Sequence, residues 1–360
     1  RFFQASDQSG EPSATGFKGF YYHFLDRDEG TRVWNSELSM IDTALLIVGA
    51  LTAAVYFDAD TPDEAELRGV ADALYRRIDW RWAQDGGATI MQGWKPESGF
   101  LHYGWEGYSE GIVLYALAAG SPTHPVTDDC YSAWTKTYQW EILYGYAYLY
   151  AGPLFVHQFS HAWIDLRGIR DDFMRGKNSD YFENSRRAID VQRKYTCINP
   201  LGHTGFDKDC WGLSAGDGPS DDIPNIETEP RRLFGYCARG VPFGPDDGTL
   251  SPPAVLACLP FQPDLALQGI RAMLSRYPEI SDDGRLSSGI NPGLHVEGGK
   301  PWVSAGHYGL DQGIVVLMIE NHRSQLIWQL MRRCPYLVAG LRAAGFRGGW
   351  LHHAAKEQPA

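Results

Sequence analysis

The chain has no surplus of positive charge. Its 32 Lys and Arg face 44 Asp and Glu, a formal net charge of −12 at pH 7. A nucleic-acid binder needs a basic face to offset phosphate, and an anionic membrane surface makes the same demand, so neither partner is expected. Long apolar runs are missing too. The longest, Thr43 to Phe57 between Asp42 and Asp58, is too short to span a bilayer and reads as a buried helix, so no membrane insertion is expected. Cysteine is sparse: six in 360 residues, none in a CxxC pair, which excludes a structural zinc site of the usual spacing. No GxSxG elbow is present, and Gly216-Asp217-Gly218 and Gly298-Gly299 form neither a phosphate loop nor a dinucleotide fingerprint. No cofactor and no metal is therefore implied. The 40 Gly and 21 Pro are too few for a collagen-like or disordered chain. The opening Arg1-Phe2-Phe3-Gln4 carries no signal-peptide pattern and reads as a chain already under way.

What is present is a globular, aromatic-rich composition: 44% hydrophobic and 21% charged, with 12 Trp, 19 Tyr and 16 Phe. Glu37 to Phe57 is the clearest helix. A second start follows at Asp60-Thr61-Pro62-Asp63-Glu64, with Thr61 as N-cap, Pro62 at the first helical position and Glu64 completing a capping box. Leu67, Val70, Ala71, Leu74 and Ile78 carry that helix to about Trp82. Further helices are expected over 108–119, 131–150, 155–167, 180–196, 228–238, 251–258, 262–277, 310–319 and 323–344, joined by Gly/Pro-rich connectors. Strand-like alternation is scarce, and no linker or repeat divides the chain. The expectation is one all-α domain over residues 1–360. A ring of paired helices fits the count, with a helical solenoid or two packed bundles as alternatives.

The loops are rich in carboxylates flanked by aromatics. Trp105-Glu106-Gly107-Tyr108-Ser109-Glu110 is the densest, with Glu110 expected in a first helical turn, where the dipole favours the anion. Gly93-Trp94-Lys95-Pro96-Glu97 lies upstream, and Asp180-Tyr181-Phe182-Glu183-Asn184-Ser185-Arg186-Arg187 sets Glu183 near a helix start beside two arginines. Glycoside hydrolysis uses two carboxyl groups, one protonated acid and one base or nucleophile. Sugar rings present apolar faces that suit aromatic platforms. Capping and surface ion pairing are the bland alternatives for any single Glu. His157 and His161 stand at i and i+4 on one helix face, but the Glu of HExxH is missing, so they are read as lining a polar cleft or holding the helix. Asp217 sits in a long irregular loop, where it could position substrate or form a turn.

Several stretches together resemble the glucoamylase-like family of bacterial glycoside hydrolases, which includes endo-β-1,2-glucanases and the cyclisation domains of cyclic β-1,2-glucan synthases. They include Trp34-Asn35-Ser36-Glu37-Leu38-Ser39, Ile41-Asp42-Thr43-Ala44 and Gly93-Trp94-Lys95-Pro96-Glu97. Trp105-Glu106-Gly107-Tyr108-Ser109-Glu110, Gly120-Ser121-Pro122-Thr123-His124-Pro125 and His157-Gln158-Phe159-Ser160-His161 follow. Tyr181-Phe182-Glu183-Asn184, Trp211-Gly212-Leu213 and Leu310-Asp311-Gln312-Gly313 complete a collinear series from about residue 19 to 334. The stretch from Ser287 to Val303 departs from the family's pattern.

The resemblance implies an (α/α)6 barrel whose long loops form the active-site cleft, and hydrolysis or transfer at a β-1,2-glucosidic bond. It implies Glu183 as base or nucleophile, Glu110 as proton donor and Glu106 as a group that orients or shares that role. Positions 110 and 183 would then converge on one sugar. Trp94, Trp105, Tyr108 and Trp211 would serve as sugar platforms, and Glu97, His124, His157, His161, Arg167 and Asp217 as polar substrate contacts. The partner implied is a glucan or gluco-oligosaccharide, in the periplasm or outside the cell. Alternatives from other classes are a transglycosylase or glucosidase of another linkage, a polysaccharide lyase, and a non-catalytic carbohydrate-binding protein.

Overall fold

Ser39 begins the first long helix by accepting a hydrogen bond from Asp42 N at 3.2 Å, and the helix Met40–Tyr56 follows. Met40, Ala44, Ile47 and Val48 are fully buried along it. The predicted cap at Thr61 forms as expected: its hydroxyl accepts from Glu64 N at 3.3 Å, and Glu64 Oε2 accepts from Ala59 N at 2.7 Å. The helix Pro62–Arg76 stops short of the expected Trp82. Ile78 and Trp80 both turn into the core two positions apart, a spacing a helix cannot bury on one face, and Trp82–Gln84 forms only a 3-10 turn.

The computed structural model describes residues 1–220, 232–296 and 298–354. These gather into two compact units. The first comprises Arg1–Tyr138, Trp163–Asp180 and the chain from Ile327 onward. Its helices stand beside a five-stranded antiparallel sheet running Gly16–Phe17, Phe20–Tyr22, Leu38–Ser39, Gly93–Lys95, Gly99–Phe100. In its register Leu38 pairs Trp94, and Tyr21 pairs Ser39. The helix Ile112–Ala119 is buried on nearly all sides and crosses Pro335–Ala343 closely. Glycine permits that crossing: a Cβ on Gly340 would stand 1.7 Å from Ala116 O, and one on Gly120 would stand 2.3 Å from Tyr336 O. The expected helix 323–344 is broken into Leu326–Met331 and Pro335–Ala343, because Pro335 cannot continue a helix and starts the second instead.

The second unit comprises Gln139–Ala162 and Tyr181–Leu326. Its spine is the helix Tyr181–Ile198, with Pro252–Leu256, Pro263–Arg276 and Gly309–Arg323 near the expected places. The expected helix 131–150 is a correction. Only Cys130–Thr135 is helical, and Trp140–Leu143 pairs antiparallel with Tyr146–Leu149 across Tyr144-Gly145. Both turn residues have positive φ, 51° and 89°, the geometry of a two-residue hairpin turn. The expected helix 155–167 is a 3-10 turn, Leu154–His157, followed by Phe159–Trp163. The expected helix 228–238 is also a correction: residues 228–231 lie outside the described residues, 232–238 contain no helix, and Cys237–Ala238 is a strand paired with Ala215–Gly216. Another short hairpin, Ile290–Val296 with Lys300–Val303, occupies a stretch read as connector. No helix among the described residues is long and apolar enough to cross a membrane.

Candidate active site

Glu110 is set by a loop that the aromatic core of the first unit holds from beneath. Tyr115 OH donates to Trp105 O at 2.9 Å, Trp134 Nε1 donates to Gly107 O at 2.7 Å, and Gly107 N donates to Thr137 Oγ1 at 2.6 Å. Tyr115 and Trp134 are stacked, ring centroids 4.5 Å apart. The helix starts later than the sequence suggests, at Ile112 with Gly111 as N-cap, so Glu110 precedes the first turn. Burial, rather than the dipole, governs its carboxyl. Loss of hydration pushes Glu110 up to about 7, and the negative charge of Asp42 adds to the rise.

Asp42 belongs to a polar group at the start of Met40–Tyr56. His23 lies between two carboxylates, with Nδ1 2.9 Å from Glu37 Oε1 and Nε2 3.4 Å from Asp42 Oδ2. Ser39 Oγ donates to Asp42 Oδ2 at 2.5 Å. The hydrogen bond with His23 holds Glu37 down at about 2, with Lys95 contributing, and the same bond raises the imidazole above its ordinary value. The sequence reading assigned no role to His23, Glu37 or Asp42. Glu37 and Asp42 lie in stretches that carry the family resemblance, but an Asp in a first helical turn is ordinary capping chemistry, so its spacing implied no role.

In the second unit, Glu183 sits in the first turn of Tyr181–Ile198. Its carboxylate is partly exposed and pairs with Arg187 Nε at 3.1 Å and Arg186 Nη1 at 3.2 Å. The next two residues pin it. Asn184 Oδ1 accepts from Leu149 N at 2.6 Å, and its amide donates to Leu149 O at 3.1 Å. Ser185 Oγ lies 2.8 Å from His157 O and 3.1 Å from His161 Nε2. Both histidines are 1% exposed and use their hydrogen bonds within the protein. His157 Nε2 meets Ala151 O at 3.1 Å, and burial lowers its imidazole to about 4. His161 packs edge-on against Phe261, centroids 4.9 Å apart. They stand beneath the Glu183 turn as its support.

The other expected residues divide by exposure. Glu106 and His124 are exposed, and Trp94, Trp105 and Tyr108 keep part of their surface. Trp94 stacks on Phe17 at 5.2 Å, and Tyr108 meets Tyr138 edge-on at 5.6 Å. Glu97 forms a two-point ion pair with Arg32, at 2.6 and 3.1 Å, which lowers its carboxyl. Arg167 grips the buried Asp165 at 2.7 and 2.9 Å and lies 4.4 Å from the Trp328 ring. Trp211 is 1% exposed, enclosed by the second unit's core. Asp217 accepts from Ser304 Oγ at 2.7 Å and from Gly218 N at 3.1 Å. Tyr308 and Asp311, at the start of Gly309–Arg323, lie within reach of its charge, and burial raises the Asp311 carboxyl. That neighbourhood joins residues nearly a hundred positions apart, so the sequence offered Asp217 as a site residue and Asp311 only as part of a resembling stretch, without their meeting. No group of three or more His, Cys, Asp or Glu side chains among the described residues could hold a metal ion. Four of the six cysteines are buried thiols, Cys237 is half-buried and Cys197 is exposed.

The fold is helix-rich, and its likeness to known proteins gives its family. The family model described as "Putative glucoamylase" matches residues 102–335, and the chain belongs to that family. A solved structure of a "putative glucoamylase" from Bacteroides uniformis is 26% identical with a TM-score of 0.84, covering 98% of this chain and 81% of that one. An endo-β-1,2-glucanase from Chitinophaga pinensis, solved with sophorotriose and glucose, is 25% identical with a TM-score of 0.79, covering 97% and 80%. An exo β-1,2-glucooligosaccharide sophorohydrolase (non-reducing end) from Parabacteroides distasonis is 25% identical over 91% of this chain. The chain spans about half of that relative, 47% of its length.

Proposed function

We propose that this chain is a glycoside hydrolase cleaving β-1,2-glucosidic bonds in β-1,2-glucan or oligosaccharides derived from it. The observation that carries the proposal is Glu110, a carboxyl that burial raises to about 7, so that about half of it keeps its proton at pH 7, in a chain similar over most of its length to enzymes named for β-1,2-linked glucose. A glycosidase acid must hold its proton at working pH and release it to the leaving oxygen. Glu110 takes that role, Glu106 assists it, and Glu183 serves as base or nucleophile. Trp94, Trp105 and Tyr108 are the sugar platforms. The helices belong to an (α/α)6 barrel over residues 1–360, and a polymeric glucan sets the place of work in the periplasm or outside the cell.

The test is release of reducing sugar from linear β-1,2-glucan, with starch, laminarin and cellulose in parallel. Release from β-1,2-glucan alone supports the proposal. Release from starch alone defeats the linkage and favours the α-glucan activity suggested by the family's description. Nuclear magnetic resonance of early products reads the anomeric outcome. Glu183→Gln is expected to lower turnover by roughly 10²–10⁴, the usual contribution of a positioned acid or base, and a loss under tenfold removes its assigned role.

A further inference from the structure

Trp34 is 81% exposed, more than any other large hydrophobic side chain among the described residues. It stands at the tip of a tight turn, where Ser36 N donates to Val33 O at 3.1 Å and the two central residues, Trp34 and Asn35, both have positive φ, 56° and 48°. That turn ordinarily takes Asn-Gly, because two successive left-handed residues are costly for side chains with a Cβ. A bulky indole is poorly suited to such a position. Backbone strain and an indole held in water coincide on one residue, a combination that sites of binding tolerate and mere connections have no use for.

The indole does not stand alone. Phe24, itself 44% exposed, lies 5.1 Å from Trp34, and Phe24 stacks on His23 with centroids 4.2 Å apart and planes 14° from parallel. His23 then meets Glu37 and Asp42. The result is a row of ring faces that begins in solvent and ends at hydrogen-bonding carboxylates. A pyranose has the matching chemistry, with a C–H face for an aromatic ring and a hydroxyl rim for carboxylate and imidazole. Asp42, at the far end of the row, also acts on Glu110 through its charge.

We propose that Trp34 and Phe24 form a sugar-stacking subsite on the first unit, which binds a glucosyl unit of an oligosaccharide whose rim is read by His23 and Glu37. This rests on the proposal that the chain acts on a glucan, and it adds where an outlying glucose is held.

The experiment titrates the folded chain with β-1,2-linked gluco-oligosaccharides of two to six units, following tryptophan fluorescence and steady-state kinetics. The wild type is expected to show quenching that strengthens with length. Trp34→Ala should abolish the length-dependent part and raise KM for the longest oligosaccharide roughly tenfold, the scale of one aromatic stacking contact, with a smaller change in kcat. Trp34→Phe should restore part of the affinity, and Phe24→Ala should weaken binding in the same sense. Thermal melting checks that each variant folds, and Trp34, being exposed, can be replaced without opening the core. If the wild type cleaves β-1,2-glucan and Trp34→Ala matches it in KM and quenching, the subsite is overturned and the activity stands. If quenching through Trp34 appears with laminari- or malto-oligosaccharides instead, the subsite stands and the linkage falls. No response of the wild type to any of these sugars overturns the subsite.

Discussion

A carboxyl can act as an acid near neutral pH only if its surroundings resist ionisation, and at Glu110 that resistance comes first from lost hydration and then from Asp42. With Glu110 held at about 7, the activity of the acid form falls as pH rises through 7. Two substitutions separate the contributions. Asp42→Asn removes a negative charge, so Glu110 ionises more easily and the alkaline limb moves to lower pH. His23→Gln removes the imidazole that offsets Asp42, so the limb moves to higher pH. Each displacement is expected to be several tenths of a pH unit to about one, a fraction of what a close ion pair produces. A pH profile of kcat/KM measures both. Displacement of the two variants in the same direction, or of neither, would remove Asp42 and His23 from the control of this proton. Glu110→Gln, measured alongside, shows whether the limb belongs to Glu110 at all.

At the scale of elements, the chain depends on a few close approaches that neither propensity nor pattern reveals. Gly340 allows Pro335–Ala343 to pass Ile112–Ala119 with no room for a methyl group. Gly340→Ala is expected to cost about 3 kcal/mol or more, the upper range for overpacking, seen as a lower midpoint in chemical denaturation. Asn184 replaces a strand neighbour for Leu149, satisfying its N–H and its C=O. Asn184→Ala strands both and should cost about 2–4 kcal/mol, with increased amide exchange at Leu149 and loss of activity through the displaced Glu183 turn. Intervals of 35 and of more than 200 residues separate these partners, so the sequence could not show them. What was legible is local. Thr61, Pro62 and Glu64 announced their helix because capping is decided within one turn. Glu110 and Glu183 stood out because aromatics and arginines flank them. The hairpin at Tyr144-Gly145 was missed because the apolar run around it suits a buried helix equally well, and only the paired positive φ values separate the two. The i, i+4 spacing of His157 and His161 was legible, whereas their enclosure was not, since it depends on Asn184, Ser185 and Phe261 arriving from elsewhere.

For the whole molecule, burial of titratable groups shapes stability across the pH range where the protein would work. His157 is lowered to about 4 from an ordinary 6.5. The folded protein keeps it neutral while the unfolded chain takes up a proton, so its contribution is intact above 6.5 and is lost as pH falls toward 4. Glu110 acts in the opposite sense. Raised to about 7 from 4.5, it favours folding at acid pH, and that contribution is lost as pH rises from 4.5 through 7. Each is on the order of 3 kcal/mol across its window, since one pH unit of difference corresponds to about 1.4 kcal/mol. The two windows overlap and their slopes oppose, so the contributions of these two groups largely cancel between pH 5 and 6.5. Asp190 and Asp311, raised by burial, and His23, raised by Glu37, add to the alkaline side. Single substitutions should expose the hidden slopes. Glu110→Gln should gain on the wild type as pH rises, by about 3 kcal/mol at pH 8 relative to pH 4.5. His157→Gln, whatever its mean cost, should lose the acid-side decline, so its deficit shrinks as pH falls toward 4. Urea denaturation at half-unit pH intervals measures both differences. Parallel curves for wild type and Glu110→Gln would mean that this carboxyl ionises as freely in the folded protein as in the unfolded chain, and the physical basis for its role as acid would be gone.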